Sequence, residues 1–232
     1  MKNRITLKTK FGNIEIGDNL PVHLIAEIGL NHNGSLEIAK KMIYAAVISG
    51  ASFVKFQKRK PESLATKEFL DAPFPKCPSL GTTQREVRER LELSFNDYEK
   101  LIKYSEELGV VFFASAFDIP SFEFLMKLNI PIIKIASHSI TNGPLLQKIA
   151  QSQIPVICSI GGTSEKETKK ALDILTPNKK IIMHCTSTYP TPDNLVFIDT
   201  IDYLKEKYKL PVGFSSHENG IDISYAAAIM GA

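Results

Sequence analysis

Seven short apolar runs recur along this chain, each followed by a helical pattern, and this alternation constrains the fold more than any other feature. The runs are 22–28, 53–56, 110–116, 131–136, 155–160, 180–185 and 211–214. They are rich in β-branched and aromatic residues and nearly continuous in apolar character, which suits strands covered on both faces in a parallel sheet. Helical patterns occupy 35–49, 94–108, 121–128, 143–150, 164–175, 194–208 and 221–230. Ser35 is placed to cap the first and Ser49-Gly50 to end it. Leu195, Ile198, Ile201 and Leu204 make an apolar stripe, expected of a helix over 194–208. Strand alternating with helix argues an α/β fold. Of the two parallel architectures, a doubly wound sheet and a TIM-type (β/α)8 barrel, unit count and regular spacing favour the barrel, whose usual length is about 250 residues.

Ahead of the first run, Ile5-Thr6-Leu7-Lys8 and Ile14-Glu15-Ile16 flank Phe11-Gly12-Asn13, a hairpin with an expected Gly-Asn turn. The expected organisation is therefore an N-terminal β-hairpin over 1–20, capping the bottom of a barrel domain over 21–232. A long, proline-rich insertion fills 59–93, with a helical turn expected near its end, and such loops often serve as lids. Seven strands leave the expected barrel without its eighth in this chain. Either the chain is a fragment, or a partner closes the gap, or the barrel is not closed.

The chain has 232 residues, 44% hydrophobic and 23% charged, enough to bury a core without disulfides or a structural metal. A net charge of +3 with no long block of like charge argues against nucleic acid as a partner. No apolar run approaches a membrane span, and the basic N-terminus lacks a signal-peptide core. Three scattered cysteines, Cys77, Cys158 and Cys185, fit a reducing compartment, so a cytoplasmic location is expected. Cys158 and Cys185 read as buried small hydrophobes.

Chemistry collects at the carboxyl ends of the runs, where parallel α/β folds build their sites. Glu27 interrupts the first run, just before Asn31-His32-Asn33-Gly34. A carboxylate in a buried strand costs several kcal/mol unless it is paired or lines a polar cavity. The second run supplies Lys55 and Gln57, two apart and so on one face, and the third Ser115 and Asp118. The fourth supplies Lys134, Ser137 and His138, the fifth Ser159, Gly161 and Gly162. The sixth supplies His184, Thr186 and Ser187, and the seventh Ser215, Ser216 and His217. Two lysines in apolar strands, with serines and glycines around them, point to a phosphate or carboxylate pocket. The bland alternative pairs Lys55 and Lys134 with Glu27 or Asp118. His184 reads as a packed residue and His32 as a loop residue. The sequence has no Gly-x-Ser-x-Gly elbow, His-x-x-x-His, Cys-x-x-Cys or P-loop pattern.

These residues resemble those of the sialic acid (N-acetylneuraminate) synthase family. The matching segments are Ile25-Ala26-Glu27-Ile28-Gly29-Leu30-Asn31-His32-Asn33-Gly34, Val54-Lys55-Phe56-Gln57, Lys134-Ile135-Ala136-Ser137, Ile140-Thr141-Asn142, His184-Cys185-Thr186-Ser187-Thr188-Tyr189-Pro190-Thr191-Pro192 and Gly213-Phe214-Ser215-Ser216-His217. They stand in family order from about residue 5 to the end. The resemblance implies a (β/α)8 barrel that condenses phosphoenolpyruvate with an N-acetylated, ManNAc-like aminosugar to a nine-carbon keto sugar acid, releasing phosphate. It implies that Lys55, Ser115, Lys134, Ser137, Ser159 and Ser215 hold phosphoenolpyruvate and that Glu27 moves protons at the sugar. Gln57 and Tyr189 match sugar-side positions, and Ser187 lies with the substrate-binding set. His217 matches one of two histidine ligands of a divalent metal, usually manganese, with magnesium as the alternative. A homodimer is implied for the full-length protein.

The departures fall on the acceptor side. Ser137-His138-Ser139 stands where the family has Ser-Gly-Glu, and Ser216 where it has aspartate. Ser159-Ile160-Gly161-Gly162 stands for the usual Ser-Thr-Gly-Met. In the family, a second metal histidine and a C-terminal domain would lie beyond residue 232. The competing readings are a non-catalytic relative that binds an anionic metabolite or partner, and an aldolase-like barrel using Lys55 or Lys134 as a Schiff base.

Overall fold

The computed structural model describes residues 3–232. The chain divides into two compact units, His23–Ile130 and a second made of the residues up to Val22 together with Pro131–Ala232.

The hairpin pairs β1 (Arg4–Thr9) antiparallel with β2 (Gly12–Gly17). Thr9 faces Gly12 in the register, so the turn is Lys10-Phe11 rather than the expected Gly-Asn. The Thr9 hydroxyl sets it, accepting from Phe11 N at 3.1 Å and donating to Gly12 O at 2.9 Å. Gly12 then takes φ +103, which a side chain would strain. Ile5 and Leu7 bury one face of β1, the period-2 pattern of a half-covered strand.

In the unit 23–130, β3 (Ile25–Gly29) leads to α1 (Leu36–Ile48), and β4 (Phe53–Lys58) to an insertion. The insertion is more ordered than its sequence suggests, holding α2 (Pro61–Leu64), α3 (Lys67–Asp71) and α4 (Gln84–Arg90). Thr66 and Thr83 cap the latter two, Thr83 in a capping box with Glu86. Then come α5 (Phe95–Glu107), β5 (Val111–Ala116) and α6 (Ile119–Lys127). The strands are parallel in chain order, β3-β4-β5. β5 is buried throughout, and Phe56, Phe112 and Tyr98 pack as one aromatic core with Phe56 and Phe112 stacked at 4.9 Å. β3 corrects one expectation. It pairs on one side only, and Glu27 is 46% exposed rather than buried.

In the other unit, β6 (Ile133–Ile135), α7 (Gly143–Ser152), β7 (Val156–Ser159), α8 (Glu165–Ile174), β8 (Lys180–His184), α9 (Thr200–Tyr208), β9 (Val212–Phe214) and α10 (Asp222–Ile229) follow in turn. Their strands are also parallel in chain order, β6-β7-β8-β9. Order without reversal is that of the barrel type, since a doubly wound sheet must reverse at a switch point. β7 and most of β8 are buried, as near-continuous apolar runs require. The helix expected from Asn194 begins only at Thr200. Asp193–Leu195 form a 3-10 turn and Phe197 takes φ +50, so Leu195 and Ile198 precede the helix while Ile201 and Leu204 anchor it. Lys179 Nζ ties the start of β8 to the hairpin through Thr6 O at 3.0 Å. Among the described residues, no helix is long and apolar enough to cross a membrane.

Candidate active site

In the unit 23–130 the register sets Glu27 beside Lys55 and Gln57 beside Ser115. A bulge directly after Glu27 shifts the β3 register and re-aims the chain there. Lys55, only 3% exposed, places Nζ 2.8 Å from Glu27 Oε2 and donates to Ser115 Oγ at 3.1 Å. The result is a polar chain from a fully buried hydroxyl, through an ammonium, to a carboxylate that reaches solvent. The ion pair offsets the desolvation of Lys55, as the bland alternative anticipated. The exposed carboxylate remains accessible for proton transfer.

Asp118 plays no part in this. It caps α6, accepting from Ser121 N at 2.7 Å, and also accepts from Lys60 N at 2.7 Å. Gln57 holds its amide close to Gly29, where an added Cβ would lie 3.5 Å from its Nε2. His32 is buried and structural. Its Nδ1 accepts from Gly34 N at 3.1 Å and its ring stacks on Phe56. Burial and the charge of Arg59 push its pKa down to about 4, so it is neutral at pH 7. Gly34 is obligatory, because a Cβ there would meet Arg90 O at 2.0 Å.

In the other unit, hydroxyls gather around the strand ends. Lys134 Nζ lies 3.4 Å from Ser215 Oγ. Ser137 Oγ accepts from Gly161 N at 3.2 Å. A Cβ on Gly161 would fall 2.7 Å from Ser187 Oγ, 3.1 Å from Ser137 Oγ and 2.7 Å from Cys185 O, so only glycine lets these groups crowd together. Ser159 is 2% exposed, and among the described residues its hydroxyl has no hydrogen-bond partner. Leaving such a group unmet costs about 1–3 kcal/mol, which a ligand oxygen would recover.

His217 Nδ1 lies 2.8 Å from Thr186 O. A carbonyl only accepts, so Nδ1 carries the proton and Nε2 the lone pair, the tautomer a metal ligand needs. Tyr189, 76% exposed, lays its ring 3.8 Å from that of His217. Among the described residues, no group of three His, Cys, Asp or Glu side chains stands ready to hold a metal. His217 therefore fits as one ligand and does not make a metal site alone. His184 is packed as expected, with Nε2 2.6 Å from Val196 O, and burial lowers its pKa. Burial likewise lowers that of His138 and raises the Cys158 thiol to about 12, leaving Cys158 an inert core residue.

Two features escape sequence reasoning. Glu218 accepts from Ser224 Oγ at 2.7 Å and from the Ser216 hydroxyl, fixing the residue that replaces the expected aspartate. Its place just before Asn219-Gly220 and a helix start is the only signal that could have flagged it. Glu92 gathers Lys58 and Arg59 in the insertion, where no periodicity marks it.

Residues 42–232 match the NeuB family. The chain is 38% identical over 215 residues to the N,N'-diacetyllegionaminic acid synthase of Campylobacter jejuni, covering 90% of this chain and 64% of the relative. It is 38% identical over 220 residues to the human N-acetylneuraminate-9-phosphate synthase, covering 94% and 61%. It thus spans just under two thirds of these relatives' length. A crystal structure of the N-acetylneuraminic acid synthetase of Leptospira borgpetersenii in complex with citrate superposes with a TM-score of 0.87 at 34% identity, covering 100% of this chain and 76% of that one. This likeness along the whole chain bears out the expected (β/α)8-type fold. Together with the ordered motifs from Glu27 to His217, it shows that the chain belongs to the NeuB family, the sialic acid synthases.

Proposed function

We propose that this chain is the phosphoenolpyruvate-handling part of a synthase that joins phosphoenolpyruvate to an N-acetylated, ManNAc-like aminosugar and releases phosphate. The observation that carries the reading is the strand-end chemistry of the second unit. A nearly buried lysine, Lys134, meets the Ser215 hydroxyl, and on the next strand the buried Ser159 hydroxyl has no protein partner. Such a set suits an anionic oxygen ligand. In this reading Lys55, Ser115, Lys134, Ser137, Ser159 and Ser215 bind phosphoenolpyruvate, whose charge the lysines offset, and Ser187 belongs with the substrate-binding set. C3 of phosphoenolpyruvate forms the new bond to the aldehyde carbon of the open-chain sugar. Water adds at C2, phosphate departs, and Glu27 supplies the proton that the sugar oxygen takes up. Gln57 and Tyr189 orient the acceptor.

Manganese or magnesium belongs to the same proposal, with His217 as this chain's ligand. When bound, the metal would polarise the aldehyde carbonyl. A homodimer and a cytoplasmic location belong to it too. The relatives' names differ in their sugar acid, and here His138, Ser139 and Ser216 depart from the family pattern on the acceptor side.

Calorimetry of phosphoenolpyruvate binding tests the reading. Lys134→Met should weaken binding roughly 10- to 100-fold, the worth of a charge-assisted hydrogen bond. Unchanged affinity would overturn the assignment. Binding without turnover across N-acetyl sugars would favour the non-catalytic alternative, which the altered acceptor residues motivate.

A further inference from the structure

Asparagine followed by glycine occurs three times in the chain, at 33–34, 142–143 and 219–220. The pair is chemically unstable for a steric reason. The main-chain nitrogen after an asparagine can attack the side-chain carboxamide, and glycine has no Cβ to hinder that approach. The attack needs a free carboxamide, a free glycine N–H and backbone able to bend into a ring. The three pairs differ in these respects.

Asn33-Gly34 is held fast. Gly34 N–H donates to the buried His32 Nδ1 at 3.1 Å, and a Cβ on Gly34 would meet Arg90 O at 2.0 Å, so the glycine lies directly against backbone. Asn142-Gly143 opens α7. Asn142 Oδ1 accepts from Leu145 N at 3.2 Å as the helix cap, Asn142 O accepts from Leu146 N at 3.0 Å, and Gly143 is the first residue of the helix. Closing a ring there would cost the cap and unwind the first turn.

Asn219-Gly220 has none of these restraints. Both residues are exposed, Gly220 takes φ +94, and a Cβ on it would meet nothing within 4 Å. Among the described residues, neither the Asn219 carboxamide nor the Gly220 N–H is held by a hydrogen bond. The pair lies in the loop from β9 to α10, two residues after His217.

We propose that Asn219 is a site of spontaneous covalent modification, converted in the folded protein to a mixture of aspartate and isoaspartate. Gly220 N bonds to Asn219 Cγ, the Cγ–Nδ2 bond breaks, and Nδ2 leaves as ammonia with the proton that Gly220 N gives up. Solvent water then opens the cyclic imide. Addition at the side-chain carbonyl gives aspartate, and addition at the main-chain carbonyl gives isoaspartate, whose backbone runs through Cβ and Cγ. Either product adds a carboxylate, and isoaspartate also lengthens the loop by a methylene. The change falls directly after Glu218, which ties Ser216 to Ser224. No group of the proposed condensation reacts, so the site stands apart from that reading.

Peptide mapping by mass spectrometry tests it, on the whole chain held at mildly alkaline pH either folded or unfolded in urea. In the folded protein Asn219 should convert about tenfold faster or more than Asn33 and Asn142, whose reaction must wait for local opening. In urea the three rates should converge. Asn219 converting no faster than the other two when folded, or keeping the same lead in urea, overturns the proposal. Labelling by an isoaspartate methyltransferase gives a second reading. The folded wild type should gain methyl groups on ageing, and Asn219→Gln should remove most of that gain. A gain that Asn219→Gln leaves unaltered refutes the site.

Discussion

Replacing Glu27 with glutamine separates two roles that the structure gives this carboxylate. The first is structural. Glu27 Oε2 lies 2.8 Å from Lys55 Nζ, and the lysine is almost fully buried. Breaking a buried ion pair costs about 3–5 kcal/mol. Glu27, however, is 46% exposed, which brings its loss down to about 1–2 kcal/mol. For a domain of this size, each kcal/mol moves the Tm by about 2–4 °C, so Glu27→Gln should melt about 2–8 °C lower. The second role is chemical. If Glu27 supplies the proton, phosphate release should fall by about 10²–10⁴-fold. Phosphoenolpyruvate affinity should hold or rise, because Lys55 no longer shares its charge with a carboxylate. Thermal melts, a phosphate-release assay and calorimetry read the three quantities. A loss of phosphoenolpyruvate affinity in step with the loss of turnover would refute the reasoning, since Glu27 would then serve binding rather than proton transfer.

Ser159→Ala should hold or raise the stability of the unliganded protein, by up to about 1–3 kcal/mol, because the buried hydroxyl it removes is unmet, yet weaken phosphoenolpyruvate binding several-fold, read by melts and calorimetry side by side. Gly161→Ala should cost about 1–3 kcal/mol in urea unfolding, since its methyl would press on Cys185 O and the Ser187 hydroxyl. His32 predicts a pH dependence. Its folded pKa of about 4 lies below the ordinary value of 6.5, so the unfolded chain binds the extra proton between those limits. Its contribution is complete above pH 6.5 and lost as pH falls toward 4, about 2 kcal/mol between pH 7 and pH 5. His32→Asn should flatten that part of a urea-midpoint series. His217→Gln should abolish any dependence of turnover on added manganese while sparing phosphoenolpyruvate binding.

Much of this was legible in the sequence because parallel strands announce themselves. The runs around Lys55 and Lys134 could be placed on strands, and the side-chain period of two put Gln57 on the face of Lys55. The exposure of Glu27 was not legible, since a run of apolar residues looks the same at a sheet's end as at its centre. Asp118 was ambiguous for a similar reason: a carboxylate after a strand is equally a site residue or a helix cap, and Pro120 in the first turn of α6 was the clue to the cap. The late start of α9 was hidden because Leu195 and Ile198 continue its apolar spacing through a segment that the left-handed Phe197 interrupts. The close approach of Gly34 to Arg90 O, which sets Asn33-Gly34 apart from Asn219-Gly220, joins residues far apart in the chain, and no local pattern records it.

The most direct test supplies the protein with phosphoenolpyruvate, manganese and N-acetylmannosamine, together with a panel of related N-acetyl sugars, and follows inorganic phosphate and the mass of any new product. The account predicts phosphate release only when an acceptor is present, one phosphate for each new keto sugar acid. Phosphate release without an acceptor, or none with any acceptor while phosphoenolpyruvate binds, would contradict it.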